Sequence, residues 1–318
     1  MVNAHITNKM RNLRDAYSSA LIQLGYENEN VVVLDADLAL STKTKRFGTV
    51  FPSRFFDMGI SEANMMGVAA GLATCGKIVF ASSFAVFATG RCYDQIRQSI
   101  AYPNLNVKIV ATHAGISVGG DGASHQMLED IALMRVLPNM RVIAPADATE
   151  MEDVIPVIAS ENGPFYIRIG RADAPIIFER HGKFKIGRGH VLRDGSDISI
   201  IATGTMTAEA LIAYDILKKN GIEARVIHIP TIKPIDARLI KKAARETGYI
   251  ITVEEHSIIG GLGDAVSMAM AKNPVPAFRI GVNDVFGESG EARQLMEKYG
   301  LTADNIAKQA KKLMKRRK

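Results

Sequence analysis

Residues 65–90 read MMGVAAGLATCGKIVFASSFAVFATG, and Lys77 is the one charge in the run. A segment this long and apolar has the length to span a bilayer, so the fold turns on how it divides. Gly76-Lys77 breaks it at mid-depth. Ahead of the break, small residues and methionines recur at helical spacing, and behind it Ile78-Val79-Phe80 is β-rich. The expectation is a buried helix followed by a buried strand, not a transmembrane span.

The same grammar extends outward. Short apolar runs at 31–34, 78–81, 107–111, 142–144 and 165–169 are separated by stretches long enough for helices. That alternation predicts an α/β fold with a parallel sheet covered on both faces. A second series at 198–202, 224–229, 249–253 and 278–280 repeats it after a change of texture. Between them, Pro175, Gly182, Gly187 and Gly189 stand among scattered charges. This places a first domain at 1–175, a linker at 176–188 and a second domain at 189–318. The expected architecture is two consecutive open, mostly parallel sheets flanked by helices. Helices are expected at 8–24, 62–74, 93–101, 125–137, 148–160, 207–219, 237–247, 262–271 and 302–315.

A chain of 318 residues with 47% hydrophobic and 23% charged content has room for two cores, which excludes disorder, collagen and a disulfide-stapled miniprotein. Cys75 and Cys92 lie in apolar stretches and form no CxxC pair, consistent with a reducing compartment. The net charge is +6, yet residues 308–318 hold seven basic side chains and no acid, so the body is nearly neutral. The basic run reads as a solvated helix end, and nucleic acid is not expected as a partner. The opening MVNAHITNKMRN lacks the apolar core of a secretory signal. A cytoplasmic protein without a membrane partner is expected.

Ligands of open parallel sheets gather beyond the carboxyl ends of the strands. The loops in those places are polar: Asp35, Asp37 and Ser41 after the first run, Thr112, His113, Asp121 and His125 after the third, Arg168 and Arg171 around the end of the fifth. Two imidazoles, a carboxylate and arginines suit an anionic, hydroxyl-bearing ligand. His113, Asp121 and His125 are also chemically able to bind a divalent ion, but nothing else in the sequence supports it and no metal is assigned to them. The glycines of 115–122 would have to fix the backbone to bring such groups together, and they equally suit a loop that covers a substrate. Gly120-Asp121-Gly122 matches the opening of the diphosphate and magnesium motif of thiamine-diphosphate enzymes, but the paired asparagines that complete it are absent. Gly260-Gly261-Leu262-Gly263 fails the dinucleotide pattern GxGxxG because position 266 is Val.

Glu62 stands at the start of an otherwise apolar, small-residue helix. An acid there commonly complements the helix dipole or caps its donors. Gly67, Ala70 and Gly71, however, form a narrow face that lets a backbone or flat ligand approach, which would hold Glu62 in a poorly hydrated interface and raise its pKa. Such a carboxyl group can donate to a heterocycle nitrogen and exchange protons with it. Phe84 and Phe87 would supply an aromatic wall beside that ring, although either alone is unremarkable core.

These residues together resemble the pyrimidine-binding and C-terminal domains of transketolase over nearly the whole chain. The resemblance rests on Arg11-Asn12-Leu13, Asp35-Ala36-Asp37-Leu38 with Ser41, the 59–67 glutamate segment, Phe84 to Phe87, Thr112-His113, Gly120 to His125 and Leu137-Pro138-Asn139, in the family's order. Val253-Glu254-Glu255-His256 and Phe286-Gly287-Glu288-Ser289 extend it through the second half. It implies that Glu62 bonds the aminopyrimidine of thiamine diphosphate, that Phe84 and Phe87 pack that ring, and that Asp37 lies near it. It implies Arg11, Ser41, His113 and Arg171 as binders of a sugar phosphate, and Asp121 and His125 at the hydroxyl and carbonyl end. Catalytic roles fall to Glu62, His113 and His125, and Arg168 is a structural candidate. Gly90 departs from the family, which often has an aromatic residue there.

The family's diphosphate-binding half, with its metal ligands, has no counterpart here. The resemblance therefore implies one subunit of a split transketolase, a two-plus-two heterotetramer in which a partner subunit holds the Mg2+ or Ca2+. The implied reaction moves a two-carbon glycolaldehyde unit from a ketose phosphate to an aldose phosphate. The β subunit of a 2-oxo-acid dehydrogenase has similar size and an equivalent glutamate segment, but His113 and His125 argue against it. Deoxyxylulose-phosphate synthase resembles a single longer chain. A non-catalytic scaffold subunit would have little reason to keep Glu62 with both histidines.

Overall fold

The computed structural model describes residues 6–7, 9–179, 182 and 184–315. Seven strands form the first sheet, in the order Thr231–Lys233, Arg141–Ile143, Phe165–Arg168, Val107–Thr112, Ile78–Phe84, Val31–Asp35 and Phe55–Asp57. All neighbours run parallel except the first pair. Five strands form the second, in the order Ala277–Val282, Ile250–Ser257, Ile198–Ala202, Ala224–His228 and His190–Arg193, with only the last pair antiparallel. Val31–Asp35, Val107–Thr112 and Ile198–Ala202 are buried at every position, as strands covered by helices on both faces must be. Every apolar run singled out in the sequence marks a strand, with positions 144, 169, 229 and 249 falling one residue outside it.

The stretch that opened the sequence argument folds as the Glu62–Thr74 helix and the Ile78–Phe84 strand, and among the described residues no helix is long and apolar enough to cross a membrane. Helices Ala148–Ser160 and Ala237–Thr247 also match their expected bounds, each started by an aspartate, Asp147 or Asp236, that accepts a backbone N–H of the first turn. Two helix starts differ by several residues. The first helix spans Leu13–Glu27, not 8–24, because Asn12 caps it while Met10–Arg11 pairs as a strand with Ala174–Pro175; position 8 lies outside the described residues. The expected 125–137 helix begins only at Asp130. Its first residues are drawn into the glycine loop, where the Gln126 amide donates to the carbonyls of Ile116, Gly119 and Glu288. The short Ala39–Thr42, Lys45–Val50 and Ala292–Lys298 helices were not foreseen. Of the basic run at the chain's end, residues up to Lys315 lie in the Ala303–Lys315 helix and 316–318 fall outside the described residues.

Buried charge joins the two sheets. Arg168 donates from Nε to Asp130 Oδ2 at 2.8 Å and from Nη2 to the Glu255 carbonyl at 2.6 Å, and Tyr166 donates its hydroxyl to the same Asp130 oxygen. Arg168 thus has the structural position the sequence suggested for it. A second link runs from Glu150 Oε2 to His228 Nε2 and from His228 Nδ1 to Thr207 Oγ1, both at 2.8 Å and fully buried. Removing one partner of a buried pair strands the other's charge. Asp130→Ala is expected to destabilise the chain by roughly 3–5 kcal/mol, read as a lowered urea midpoint; an unchanged midpoint would contradict the linkage.

Candidate active site

The candidate residues other than Arg11 follow or end strands of the first sheet at its carboxyl edge. Asp35 ends its strand fully buried and accepts from Leu38 N, Thr42 Oγ1 and Thr44 Oγ1 at 2.6–2.8 Å. Burial pushes its carboxyl up to about 6 against those hydrogen bonds. It shapes the loop that carries Asp37 and Ser41. Asp37 is exposed and takes a left-handed backbone, φ 61°, with its N–H on Asp57 Oδ1 at 3.0 Å. Asp57 Oδ1 also accepts from Gly59 N, so one carboxylate ties the Asp37 loop to the turn that leads into Glu62.

Glu62 is 3% exposed. The expected poorly hydrated setting is present, but the carboxylate is not alone: Arg91 Nη1 lies 2.8 Å from both of its oxygens. The Arg91 guanidinium rests over Phe87, 4.4 Å from the ring centroid. Phe87 stacks with Phe84 at 6.0 Å and 12°, and Phe84 stacks on His113 at 3.7 Å. His125 meets both phenylalanines edge-on, at 5.4 Å and 6.3 Å. The phenylalanines therefore line the site as well as filling space. Val86–Arg91 is a π-helical turn, a local insertion that proteins favour at functional sites. Sequence reasoning missed Arg91, although its place four residues beyond Phe87 offered a signal. A Cβ on Gly67 or Gly71 would meet nothing within 4 Å, so the small-residue face of the glutamate helix is open in this chain.

His113 is buried in a left-handed conformation, φ 57°, and shares a 2.8 Å hydrogen bond through Nδ1 with Thr112 Oγ1. Burial, with Arg14, Arg171 and His125 nearby, pushes its imidazole down to about 3. The ring is neutral at physiological pH. The glycine loop that follows, Ile116–Asp121, makes 3-10 turns broken by a kink at Gly119 and is tied to the second sheet through Glu255. Ser117 N donates to Glu255 Oε1 at 2.7 Å, and a Cβ on Gly115 would lie 2.3 Å from that same oxygen. The loop is a fixed wall, and it presents Asp121 and His125.

Asp121 faces Arg171 at 3.5 Å, and Arg171 also donates to the Val118 carbonyl. Arg14, missed in the sequence, completes the group: Nη1 donates to the Ser41 carbonyl at 3.0 Å and Nη2 to the Arg171 carbonyl at 2.9 Å. Burial lowers its pKa below the ordinary arginine value. Arg14, Asp121 and Arg171 line a pocket of about 480 Å³, to which the second half of the chain contributes Gly290, Glu291 and Ala292. Arg11, on its strand beside Ala174, pairs with Glu152 of the Ala148–Ser160 helix, and the residues that this end of the chain gives to the pocket are Asn12 and Arg14. Among the described residues no group of three His, Cys, Asp or Glu side chains is arranged to hold a metal ion.

The profile of the transketolase pyrimidine-binding domain matches residues 9–176, and that of the transketolase C-terminal domain matches 187–306. The chain belongs to the transketolase family. A Methanocaldococcus jannaschii protein, provisionally named a transketolase C-terminal section, is 54% identical over 96% of this chain and 97% of its own length. A 6-deoxy-6-sulfo-D-fructose transketolase subunit of a Clostridium species is 42% identical over 96% of this chain and 95% of that one. A split gene transketolase solved as an inactive β4 tetramer superposes with a TM-score of 0.90 at 53% identity, covering 96% of this chain and 98% of that one. Transketolases use thiamine diphosphate, whose flat end is a nitrogen heterocycle, and the Glu62 corner holds the chemistry such a ring needs, a buried carboxylate next to an aromatic face, both contacted by Arg91.

Because its pKa lies far below that of a free imidazole, His113 binds a proton more readily in the unfolded chain. That lowers stability as pH falls from about 6.5 toward 3. Between pH 5 and 9 its ring resonances in a histidine NMR titration are expected to stay flat. An inflection near 6.5 would show that the burial is not realised.

Proposed function

We propose that this chain is one subunit of a split, thiamine-diphosphate-dependent transketolase that moves a two-carbon glycolaldehyde unit from a ketose phosphate to an aldose phosphate. The observation that carries the reading is Glu62, a buried carboxylate at the end of a stacked row of Phe87, Phe84 and His113. In this reading Glu62 holds and exchanges a proton at a ring nitrogen, and Phe84 and Phe87 orient the ring. Bound thiamine diphosphate would supply the electron sink for cleavage beside the ketose carbonyl. Neutral His113 polarises or relays a proton at a substrate oxygen through Nε2, which has no hydrogen-bond partner among the described residues. His125 and Asp121 meet the hydroxyl and carbonyl end. Arg14 and Arg171 hold the phosphate, with Ser41 at their side. Asp37, on the loop tied to the Glu62 turn, lies on the cofactor side.

The diphosphate and its Mg2+ or Ca2+ would be held by a partner subunit, in a two-plus-two assembly. Supporting this, the chain covers nearly all of relatives that are themselves named as subunits, but about half of human transketolase, to which it is 37% identical. We also propose the division at 176–188 as the domain boundary. The subunit relatives differ in sugar, one named for a sulfofructose and another, from Phocaeicola vulgatus, for apulose 4-phosphate. The ketose and aldose are accordingly left as classes.

Mixing the chain with a diphosphate-domain subunit, thiamine diphosphate and Mg2+ should produce glycolaldehyde transfer; turnover by the chain alone would refute the split-subunit reading. In the mixed complex, Glu62→Gln is expected to lower kcat by on the order of 100-fold or more while moving the sugar KM little. Arg14→Ala is expected to raise the KM of phosphorylated sugars about 10- to 100-fold with a smaller effect on kcat, the value of a charge-assisted contact. Arg11→Ala should leave that KM within a factor of about two.

A further inference from the structure

Arg91 holds both features that make the Glu62 corner a ring site. Its Nη1 touches both carboxylate oxygens and its Cζ lies over the Phe87 face. A guanidinium is planar, delocalised and rich in N–H donors, so it satisfies a carboxylate and an aromatic face together, as a flat nitrogen heterocycle would. A ring bonded to Glu62 and packed on Phe87 needs the same space. The carboxylate is the fixed member of the pair, 3% exposed at the start of a packed helix, whereas the Arg91 side chain is 49% exposed. Arg91 closes the π-helical Val86–Arg91 turn, and Glu62 supplies the one ion pair it makes among the described residues.

We propose that Arg91 is a self-occluding plug: in the free subunit it occupies the place of the cofactor's pyrimidine, and it must swing off Glu62 and Phe87 before the ring can seat. This rests on the reading of Glu62 as the pyrimidine partner. It assigns to the chain's own sequence a device that keeps the buried acid paired until the cofactor arrives. A conformation that must first be vacated reduces apparent affinity by the fraction of molecules that are open. Removing the plug therefore tightens binding, whereas removing a true cofactor contact would weaken it.

The test is calorimetric titration of thiamine diphosphate, with Mg2+, into the complex of this chain with a diphosphate-domain subunit, for the native chain and for Arg91→Met and Arg91→Lys. Arg91→Met is expected to tighten binding about 5- to 10-fold, and Arg91→Lys, which keeps the charge but loses the plane, by a smaller factor. In the isolated subunit, saturation-transfer NMR with thiamine as probe should show stronger binding to Arg91→Met than to the native chain. Affinity equal to or weaker than native in the Arg91→Met complex overturns the plug. If circular dichroism shows that Arg91→Met melts early, Arg91→Lys decides by the same criterion. Glu62→Gln in the same titration separates the two levels. Unchanged affinity and turnover there would overturn the parent reading, while a weakened Glu62→Gln with no gain from Arg91→Met overturns the plug alone.

Discussion

Everything at the sheet edge depends on one buried guanidinium. Arg168 reaches from the first sheet to the Asp130 carboxylate and to the carbonyl of Glu255 on the second, and the Glu255 side chain in turn holds Ser117 at the head of the glycine loop. Burying such charges is costly, and an apolar substitute of equal volume is often no less stable. What the network supplies here is position. With Glu255 pinned, residue 115 has no room for a side chain, and the loop leads to Asp121 beside Arg171 and to His125 against Phe84 and Phe87. The two halves of the chain thus line the pocket of Arg14 and Arg171 jointly.

The strands were legible because a strand buried on both faces must be apolar throughout, and such runs as Val31–Asp35 and Ile198–Ala202 admit little else. The glutamate helix was legible from its small residues and methionines at helical spacing and from the Gly76-Lys77 break after it. What escaped notice depends on contacts distant in sequence. Met10–Arg11 becomes a strand only because Ala174–Pro175 lies beside it. That single boundary decided which arginine faces the pocket: a residue on the strand turns to Glu152, while Arg14, one position inside the helix, turns to Ser41 and Arg171. Likewise the Glu62 carboxylate was visible as an anomaly, but its pairing with Arg91, twenty-nine residues on, was not.

The site is one-sided. Two phenylalanine rings and the His113 imidazole form a continuous stack beneath Arg91, yet among the described residues nothing lies within 4 Å of a Cβ built at Gly67 or Gly71 on the glutamate helix, and Leu40 and Ile60 stand exposed nearby in sequence to Ser41 and Glu62.

The Thr231–Lys233 strand, drawn from the second half, runs antiparallel on the Arg141–Ile143 edge of the first sheet. Without it that edge would present unpaired backbone donors and acceptors, an invitation to aggregation. The two lobes are therefore not interchangeable cassettes. A chimera that joined the front of one relative to the back of another would have to carry over a matching selvedge, and shuffling at the obvious hinge would mend the linker while leaving that seam to chance.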